Sequence, residues 1–113
     1  IENGLSQLED GAGRFPQVAG MRFKFDAAGE AGSRVVSLDV KQADGSFAPI
    51  DPEAMYGVAS NNYMRSGGDG YKIFATDGQN AYDFGPGLEE AVAAYIQANS
   101  PYVAYTDGRI SKK

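Results

Sequence analysis

The stretch MRFKFD, residues 21–26, alternates apolar and charged side chains. The apolar side chains at positions 21, 23 and 25 fall on one face of an extended chain, and the charged ones fall on the other. Successive side chains of a strand point to opposite faces, so this period of two predicts a half-buried β-strand. The fold is therefore expected to contain a sheet with one face against a core.

A hairpin is predicted after this strand. The segment RVVSLDVKQADGSFAPI, residues 34–50, is expected to direct Val36, Leu38 and Val40 to the same side. The pair Asp44-Gly45 supplies the positive φ angles that tight hairpin turns favour. The segment DPEAMYGVAS, residues 51–60, is predicted to form a turn and then a strand.

Helical spacing occurs at the beginning of the chain and again near its end. In IENGLSQLED, residues 1–10, Ile1, Leu5 and Leu8 follow the i, i+4, i+7 spacing of one helix face. In GPGLEEAVAAYIQANSP, residues 85–101, the apolar side chains at 88, 92, 95 and 96 share a face. Helices combined with strands predict one α+β domain over residues 1–113, with a mixed or antiparallel sheet and packed helices.

Two further segments complete the prediction. YKIFAT, residues 71–76, is predicted as a short strand or buried segment, and PYVAYTDGRISKK, residues 101–113, as a strand with a polar tail.

No capping residue precedes Ile1, although the apolar pattern of the first helix already includes this residue. We therefore expect a chain cut from a longer protein, a processed natural terminus being the alternative. The first helix would then expose a face that can pair two copies in a homo-oligomer.

The composition excludes several kinds of site. The chain contains no cysteine and no histidine, so thiolate or imidazole zinc sites and serine–histidine or cysteine nucleophile systems cannot be built from it. Its net charge of −5 argues against DNA or RNA as a partner, because phosphate backbones are bound by Lys and Arg. No apolar run approaches the length of a membrane span. Oxygen-only sites for calcium or magnesium and paired carboxylates for acid–base chemistry remain possible, because fifteen Asp and Glu residues are available.

The loop NNYMRSGGDGY, residues 61–71, contains two asparagines, an arginine, an aspartate, aromatic residues and three glycines, more than a simple turn requires. Its glycines at 67, 68 and 70 permit positive φ and let a ligand approach the backbone closely. The loop lacks the Lys-Ser/Thr of a Walker motif and the spacing of a dinucleotide fingerprint. From the glycines alone, a purely structural turn remains the alternative.

Three segments, in order, carry a resemblance to a known family: GRFPQVAGMRFKFD at 13–26, GSRVVSLDV at 32–40 and DPEAMYGVASNNYMRSGGDGY at 51–71. Together they resemble the C-terminal domain of the 5'-nucleotidase family, two-domain metallophosphatases that remove the 5'-phosphate from nucleotides. The closing DGRI also resembles the last strand of that domain. The resemblance covers nearly the whole chain.

The resemblance implies roles for particular residues. Phe15 and Tyr63 match the two aromatics that stack on opposite faces of the nucleobase, and Asp69 matches the aspartate that contacts the ribose hydroxyls. Asn62 can add amide contacts, although a structural hydrogen bond is its other expected use. Gly67 and Gly68 complete the predicted substrate site, whereas Arg65 is expected to be solvated and the Phe side chains at 23, 25 and 74 to lie in the core.

The resemblance also implies what lies outside the chain. Two divalent metals are expected in an N-terminal metallophosphatase domain in cis, and upstream elements of the C-terminal domain are expected to be missing. The resemblance therefore implies no catalytic residue, no metal ligand and no cofactor in this chain. The parent protein is expected to be periplasmic or secreted. Two alternatives remain: the C-terminal part of a thiosulfohydrolase-like relative, and a non-catalytic protein-interaction domain.

Overall fold

A four-stranded mixed sheet forms the centre of the fold. The computed structural model describes all residues, 1–113. The strands are β1 (Met21–Phe25), β2 (Val35–Lys41), β3 (Phe47–Pro49) and β4 (Ile110–Lys112), in the order β3-β2-β1-β4. β2 pairs antiparallel with both β1 and β3, whereas β4 runs parallel to β1. The predicted α+β class with a mixed sheet is confirmed.

The alternation in β1 has the predicted consequence. Phe23 and Phe25 are buried, whereas Arg22 is exposed and donates across the strands to Asp39 at 2.8 Å. The turn between β2 and β3 contains Gly45 with φ +87°, whereas Asp44 does not have a positive φ, so only one residue of the predicted pair is left-handed. Burial alternates with exposure along β1 because only one face of the sheet is covered.

One detail of the hairpin prediction is wrong. The register between β1 and β2 shifts between Lys24 and Phe25, so Val35 lies opposite Phe25. Val36 is consequently 50% exposed and does not share the inner face with Leu38. An irregularity of this kind inserts one residue and reverses the side on which the next side chain lies.

The core lies between the sheet and the beginning of the chain. Helix α1 (Glu2–Leu5) is shorter than predicted, has no side-chain cap and carries the fully buried Leu5. Leu5 packs with Phe23 and Phe25, and Ile1 and Leu8 pack around this cluster. The apolar side chains at the beginning of the chain therefore face the sheet.

Arg34 fastens α1 to the sheet. It is only 4% exposed, pairs with the carboxylate of Glu9, and donates to the carbonyl oxygens of Leu5 and Gly29. In the same place, the backbone N–H of Arg34 donates to the Glu2 carboxylate at 3.0 Å. Each charged or polar group that enters this part of the core thus has a partner, as buried polar groups require.

The remaining helices follow the hairpin: α2 (Asn62–Arg65), a 3-10 turn (Gly68–Gly70), α3 (Lys72–Thr76) and α4 (Leu88–Ala98). The prediction of α4 is confirmed, and its 11 residues make it the longest helix. The strand prediction for 71–76 is wrong, because most of this segment is α3 and only Tyr71 before it is buried. The strand predicted within 51–60 does not form either, whereas the strand predicted within 101–113 forms only near its end, as β4. No helix has the length and apolar character needed to cross a membrane.

Candidate functional site

The loop at 61–71 begins with a capped helical turn, α2. The side chain of Asn61 accepts a hydrogen bond from the backbone N–H of Met64 at 2.8 Å and so caps α2. Ser66 donates to the carbonyl oxygen of Asn62 at 3.0 Å near the other end of the helix. The structural hydrogen bond considered for Asn62 is made by its neighbour Asn61, and the side chain of Asn62 is exposed.

At two positions of the loop only glycine fits, because atoms of other residues lie where a Cβ would be. A Cβ on Gly68 would lie 2.6 Å from Cδ1 and Cε1 of Tyr63, and a Cβ on Gly70 would lie 2.6 Å from Oδ1 of Asn3. Gly67 has φ +94°, in the left-handed region that glycine adopts without strain. The edge of the Tyr63 ring therefore rests on the loop backbone, while the residue remains 58% exposed.

Asp69 lies at the centre of the loop in an uncommon conformation. Its φ is +52°, and its carbonyl oxygen accepts a hydrogen bond from Nδ2 of Asn3 at 3.0 Å. Aspartate tolerates the left-handed region better than most side chains, and the surrounding contacts hold it there. The carboxylate of Asp69 belongs to none of the ion pairs of the chain. An unpaired carboxylate therefore lies in the same loop as the exposed ring of Tyr63.

Phe15 lies at the margin of the core. Its ring is half-buried and meets the ring of Phe25 edge to face, with centroids 5.9 Å apart. A cavity of about 170 Å³ opens beside Phe15. Its other lining residues are Gly4, Gln7, Leu8, Gly11 and Ala12. One side of Phe15 is thus fixed by packing and another borders open space.

Tyr71 connects the segment of Phe15 to the loop. Its hydroxyl donates to the carbonyl oxygen of Arg14 at 2.7 Å, and the residue is only 6% exposed. Burial and, second, the negative charge of Asp69 raise the pKa of Tyr71 above its usual value, while Arg14 acts in the opposite direction. The hydroxyl therefore remains protonated and able to donate at neutral pH.

The predicted residues come from two parts of the sequence. Tyr63, Asp69 and the glycines at 67 and 68 belong to one loop, and the contacts of Tyr71 with Arg14 and of Asn3 with Asp69 fasten that loop to the beginning of the chain. Sequence reasoning missed these fastening residues. A hydrogen bond between residues 57 positions apart leaves no periodic or local signal.

Arg65 is not simply solvated, contrary to the prediction. Its Nε lies 3.0 Å from Oδ1 of Asp83, and Nη1 donates to the carbonyl oxygen of Phe74 at 2.7 Å. These contacts fasten α2 to α3 and to the segment that follows α3. Phe74 itself is only partly buried and stacks on Tyr71, with ring centroids 5.6 Å apart.

The chain offers no metal site. No group of three or more acidic side chains is placed to hold an ion, and the chain has neither histidine nor cysteine. A centre of two divalent metals therefore does not fit the residues of this chain.

The same fold occurs in solved structures of nucleotide-hydrolysing enzymes. The crystal structure of a 5'-nucleotidase precursor from Thermus thermophilus matches with a TM-score of 0.90 and 41% identity over 98% of this chain and 22% of that one. The NAD nucleotidase of Haemophilus influenzae matches with a TM-score of 0.74 and 25% identity over 99% of this chain and 21% of that one. This arrangement of sheet and loop is thus part of larger nucleotidases.

The family model described as "5'-nucleotidase, C-terminal domain" matches residues 1–76. The chain belongs to the 5'-nucleotidase family and corresponds to its C-terminal domain. A probable 5'-nucleotidase of Treponema pallidum is 36% identical over 97% of this chain and 19% of that protein. The trifunctional nucleotide phosphoesterase protein YfkN of Bacillus subtilis is 39% identical over 75% of this chain and 6% of that protein. The chain therefore spans about a fifth or less of these relatives.

Proposed function

We propose that this chain is the nucleoside-recognition domain of a 5'-nucleotidase-type phosphohydrolase. Phe15 and Tyr63 stack on the two faces of the base, and Asp69 accepts hydrogen bonds from the ribose hydroxyls. Asn62 and the backbone at Gly67 and Gly68 complete the contacts. The observation that carries the proposal is the ring of Tyr63, held at one edge by Gly68 and 58% exposed in the same loop as an unpaired carboxylate.

The arrangement of Tyr63 suits stacking. Stacking one base on one aromatic ring contributes about 1–3 kcal/mol and tolerates any base, because every base presents a flat π-surface. The contact with Gly68 limits the positions that the ring can occupy before a ligand arrives. A ring that is already positioned loses less conformational entropy on binding, so more of the stacking energy remains as affinity.

Asp69 provides a preference for ribose. An ionised carboxylate only accepts hydrogen bonds, and its two oxygens can serve two adjacent hydroxyls. A ribose offers such a pair, whereas a 2'-deoxyribose lacks one of the donors. The left-handed backbone conformation of Asp69 fixes the direction in which its side chain leaves the backbone. Its carbonyl oxygen accepts a hydrogen bond from Nδ2 of Asn3 at 3.0 Å.

In the complete protein, hydrolysis belongs to a separate domain. We propose that an N-terminal metallophosphatase domain in cis carries two divalent metals and cleaves the phosphate ester of the nucleotide that this domain presents. The small share of each relative that this chain spans supports this division. We also propose a periplasmic or secreted location, which is supported by relatives such as the snake venom 5'-nucleotidase of Macrovipera lebetinus, 29% identical.

Binding of adenosine and AMP tests the proposal. The chain has seven tyrosines and no tryptophan, so quenching of tyrosine fluorescence reports a stacked base directly. Tyr63→Ala is expected to weaken binding about 5- to 150-fold, the equivalent of about 1–3 kcal/mol, and Tyr63→Phe to preserve it. Tyr102→Ala is the matched control, because Tyr102 is also exposed, at 46%, but belongs to the segment after α4.

A second comparison isolates the role of the carboxylate. The wild-type chain is expected to bind adenosine more tightly than 2'-deoxyadenosine, and Asp69→Asn is expected to reduce that preference. Equal losses in Tyr63→Ala and Tyr102→Ala, or a ribose preference unchanged in Asp69→Asn, would contradict the assigned roles. No response of the wild-type chain to either ligand would favour the thiosulfohydrolase-like or protein-interaction alternatives.

A further inference from the structure

The sheet has a second face, opposite the core, that is rich in polar side chains. The two buried Phe side chains of β1 face the core, so Arg22 and Lys24 lie on this outer face. The register places Ser37 of β2 and Ser111 of β4 on either side of Lys24. Neighbouring strands lie about 4.8 Å apart, so a hydroxyl flanks the lysine at about that spacing on both sides. Three strands therefore contribute to one row of hydrogen-bond donors.

A cavity of about 220 Å³ lies on the outer face at this row. Its lining includes Arg22, Lys24, Asp39 and Gly108 together with the two serines. No heavy atom lies within 4 Å of a Cβ placed on Gly108, so the cavity is open to solvent on that side. Pockets for drug-sized ligands measure about 300–1,000 Å³, and this cavity therefore suits a smaller ligand.

Arg22 is held in position before any ligand arrives. Its Nε donates to Oδ2 of Asp39 at 2.8 Å, and its guanidinium carbon lies 4.7 Å from the centre of the Phe47 ring. The terminal nitrogens Nη1 and Nη2 donate to no acceptor of the chain. A guanidinium fixed in this way presents its remaining donors as a planar fork, which is the geometry that binds phosphate oxygens in pairs.

The other donors of the cavity have no partner within the chain. Lys24 belongs to none of the ion pairs. The hydroxyls of Ser37 and Ser111 make no hydrogen bond to the protein, whereas several other serine hydroxyls do. An ammonium group and two hydroxyls are therefore available to a ligand at the same place as the Arg22 fork.

The charge of the outer face favours an anion. β1 and β2 carry three cations on this face, Arg22, Lys24 and Lys41, against the single carboxylate of Asp39. Asp39 is already paired with Arg22. The whole chain, by contrast, has a net charge of −5. A local excess of positive charge in an acidic protein attracts an anion to this place in particular.

We propose that this cavity, termed the outer-face site and defined by Arg22, Lys24, Ser37 and Ser111, binds a phosphate-type oxyanion. The ligand is inorganic phosphate or the phosphate group of a monoester, which share the same chemistry. The oxygens of a tetrahedral anion accept hydrogen bonds from an ammonium, two hydroxyls and a guanidinium at once. A carboxylate has only two oxygens and a single negative charge, so it satisfies fewer of these donors.

The outer-face site is separate from the loop at 61–71. Phe15 packs on Phe25, and the loop is linked to the beginning of the chain, both on the core side of the sheet. The sheet therefore lies between the two sites. Adenosine has no phosphate group, so its binding reports the loop and is independent of the outer-face site.

Titration with inorganic phosphate, followed by two-dimensional NMR of the backbone amides, tests the proposal. The titration is made in about 0.15 M NaCl, in which exposed charges more than about 8 Å apart are largely screened. Saturable shifts are expected at residues 22–24, 37–39 and 108–111, and none at 61–71. Shifts that do not saturate, or that occur equally over the whole chain, would overturn the proposal.

Two further ligands define the chemistry of the site. Glycerol 3-phosphate that binds as well as inorganic phosphate assigns the site to any terminal phosphate group, and much weaker binding assigns it to the free ion. Either result supports a phosphate-type oxyanion. Acetate tests a carboxylate, as an acidic polypeptide would present it, and binding of acetate as tight as that of phosphate would contradict the proposal.

Substitutions at exposed positions provide the matched comparison. Lys24→Gln is expected to weaken phosphate binding about 5- to 30-fold, between the effect of an exposed ion pair and that of a charge-assisted hydrogen bond. Lys72→Gln is the control, because Lys72 is also exposed and unpaired but belongs to α3. Equal effects of the two substitutions would show that phosphate responds to general charge, and would overturn the site.

The serines distinguish a defined site from a cationic surface, because their substitution changes no charge. Ser37→Ala and Ser111→Ala are each expected to weaken phosphate binding about 2- to 10-fold, as the loss of one hydrogen bond does. Adenosine binding should be unchanged in Lys24→Gln and in both serine variants. Phosphate binding that is unaffected by both serine substitutions would contradict the assigned contacts, whatever the outcome of the adenosine titrations.

Discussion

Gly68→Ala tests whether the glycine-rich loop holds the ring of Tyr63 in place. The new Cβ would lie 2.6 Å from Cδ1 and Cε1 of the ring and 2.6 Å from the backbone oxygen of Tyr63. Carbon atoms attract one another best at about 3.5–4.0 Å, so about 1 Å of overlap must be relieved. The ring can rotate away from the new methyl group, but the backbone oxygen belongs to α2 and cannot do so independently.

The magnitude follows from this overlap. Inserting a methylene where no space exists costs about 1–3 kcal/mol. For a domain of about 100 residues, each kcal/mol lowers Tm by about 4–8 °C, which gives an expected decrease of about 4–24 °C. Because Tyr63 must move, quenching of tyrosine fluorescence by adenosine is also expected to weaken. Thermal unfolding followed by circular dichroism and ligand titration measure the two effects separately.

Gly57→Ala is the control for Gly68→Ala. No heavy atom lies within 4 Å of a Cβ at Gly57, and its φ lies outside the positive region. Substitution at such a position reduces the freedom of the unfolded chain and is expected to be neutral or stabilising by about 0.4–1 kcal/mol. A Gly68→Ala protein as stable as Gly57→Ala, with unchanged adenosine titration, would refute the reasoning about the loop.

Three further outcomes are expected. Tyr71→Phe removes the donor to the carbonyl oxygen of Arg14 and should reduce the free energy of unfolding by about 1–3 kcal/mol and weaken adenosine binding, measured by denaturant titration and fluorescence. Arg34→Met leaves two backbone carbonyl oxygens without their donor and should lower the free energy of unfolding by a similar amount. An unchanged midpoint of denaturant unfolding would contradict this expectation. The side-chain hydrogen bond from Arg109 lowers the pKa of Asp107 in the folded protein. The stability that this interaction contributes is therefore fully present above the unfolded pKa of Asp107, about 3.9, and is lost as the pH falls through its folded pKa. Asp107→Asn should therefore show a smaller loss of stability between pH 5 and 2 than the wild type.

Local periodicity predicted the parts of the fold that obey it. β1 was predicted from the alternation that buries Phe23 and Phe25, and the hairpin from Asp44-Gly45, because both signals depend on neighbouring residues alone. Helix α4 was predicted for the same reason, from apolar residues at helical spacing. Each of these elements lies where its own sequence pattern is present.

The errors arose where distant contacts or inserted residues decide the structure. The register shift beside Phe25 turned Val36 outward, and alternation alone cannot locate such a shift. The segment after the loop forms α3, and Tyr71 just before it donates a hydrogen bond to the carbonyl oxygen of Arg14, a partner remote in sequence. The strand expected within 51–60 and the first part of the strand expected within 101–113 have no neighbouring strand in this chain, whereas the end of the latter segment pairs with β1 as β4. A strand requires a pairing partner that its own sequence does not provide.

The loop that carries Tyr63 and helix α4 differ in packing, and this makes their roles separable. The loop is linked by Tyr71 and Asn3 to the segment that contributes Leu5 to the core. Helix α4, by contrast, has no buried residue. Local opening is least costly where few apolar contacts hold a region. α4 can therefore unfold while the loop and sheet remain in place, so a Val92→Asp substitution should leave adenosine binding by the isolated chain unchanged. A parallel loss of binding would show that α4 also supports the loop.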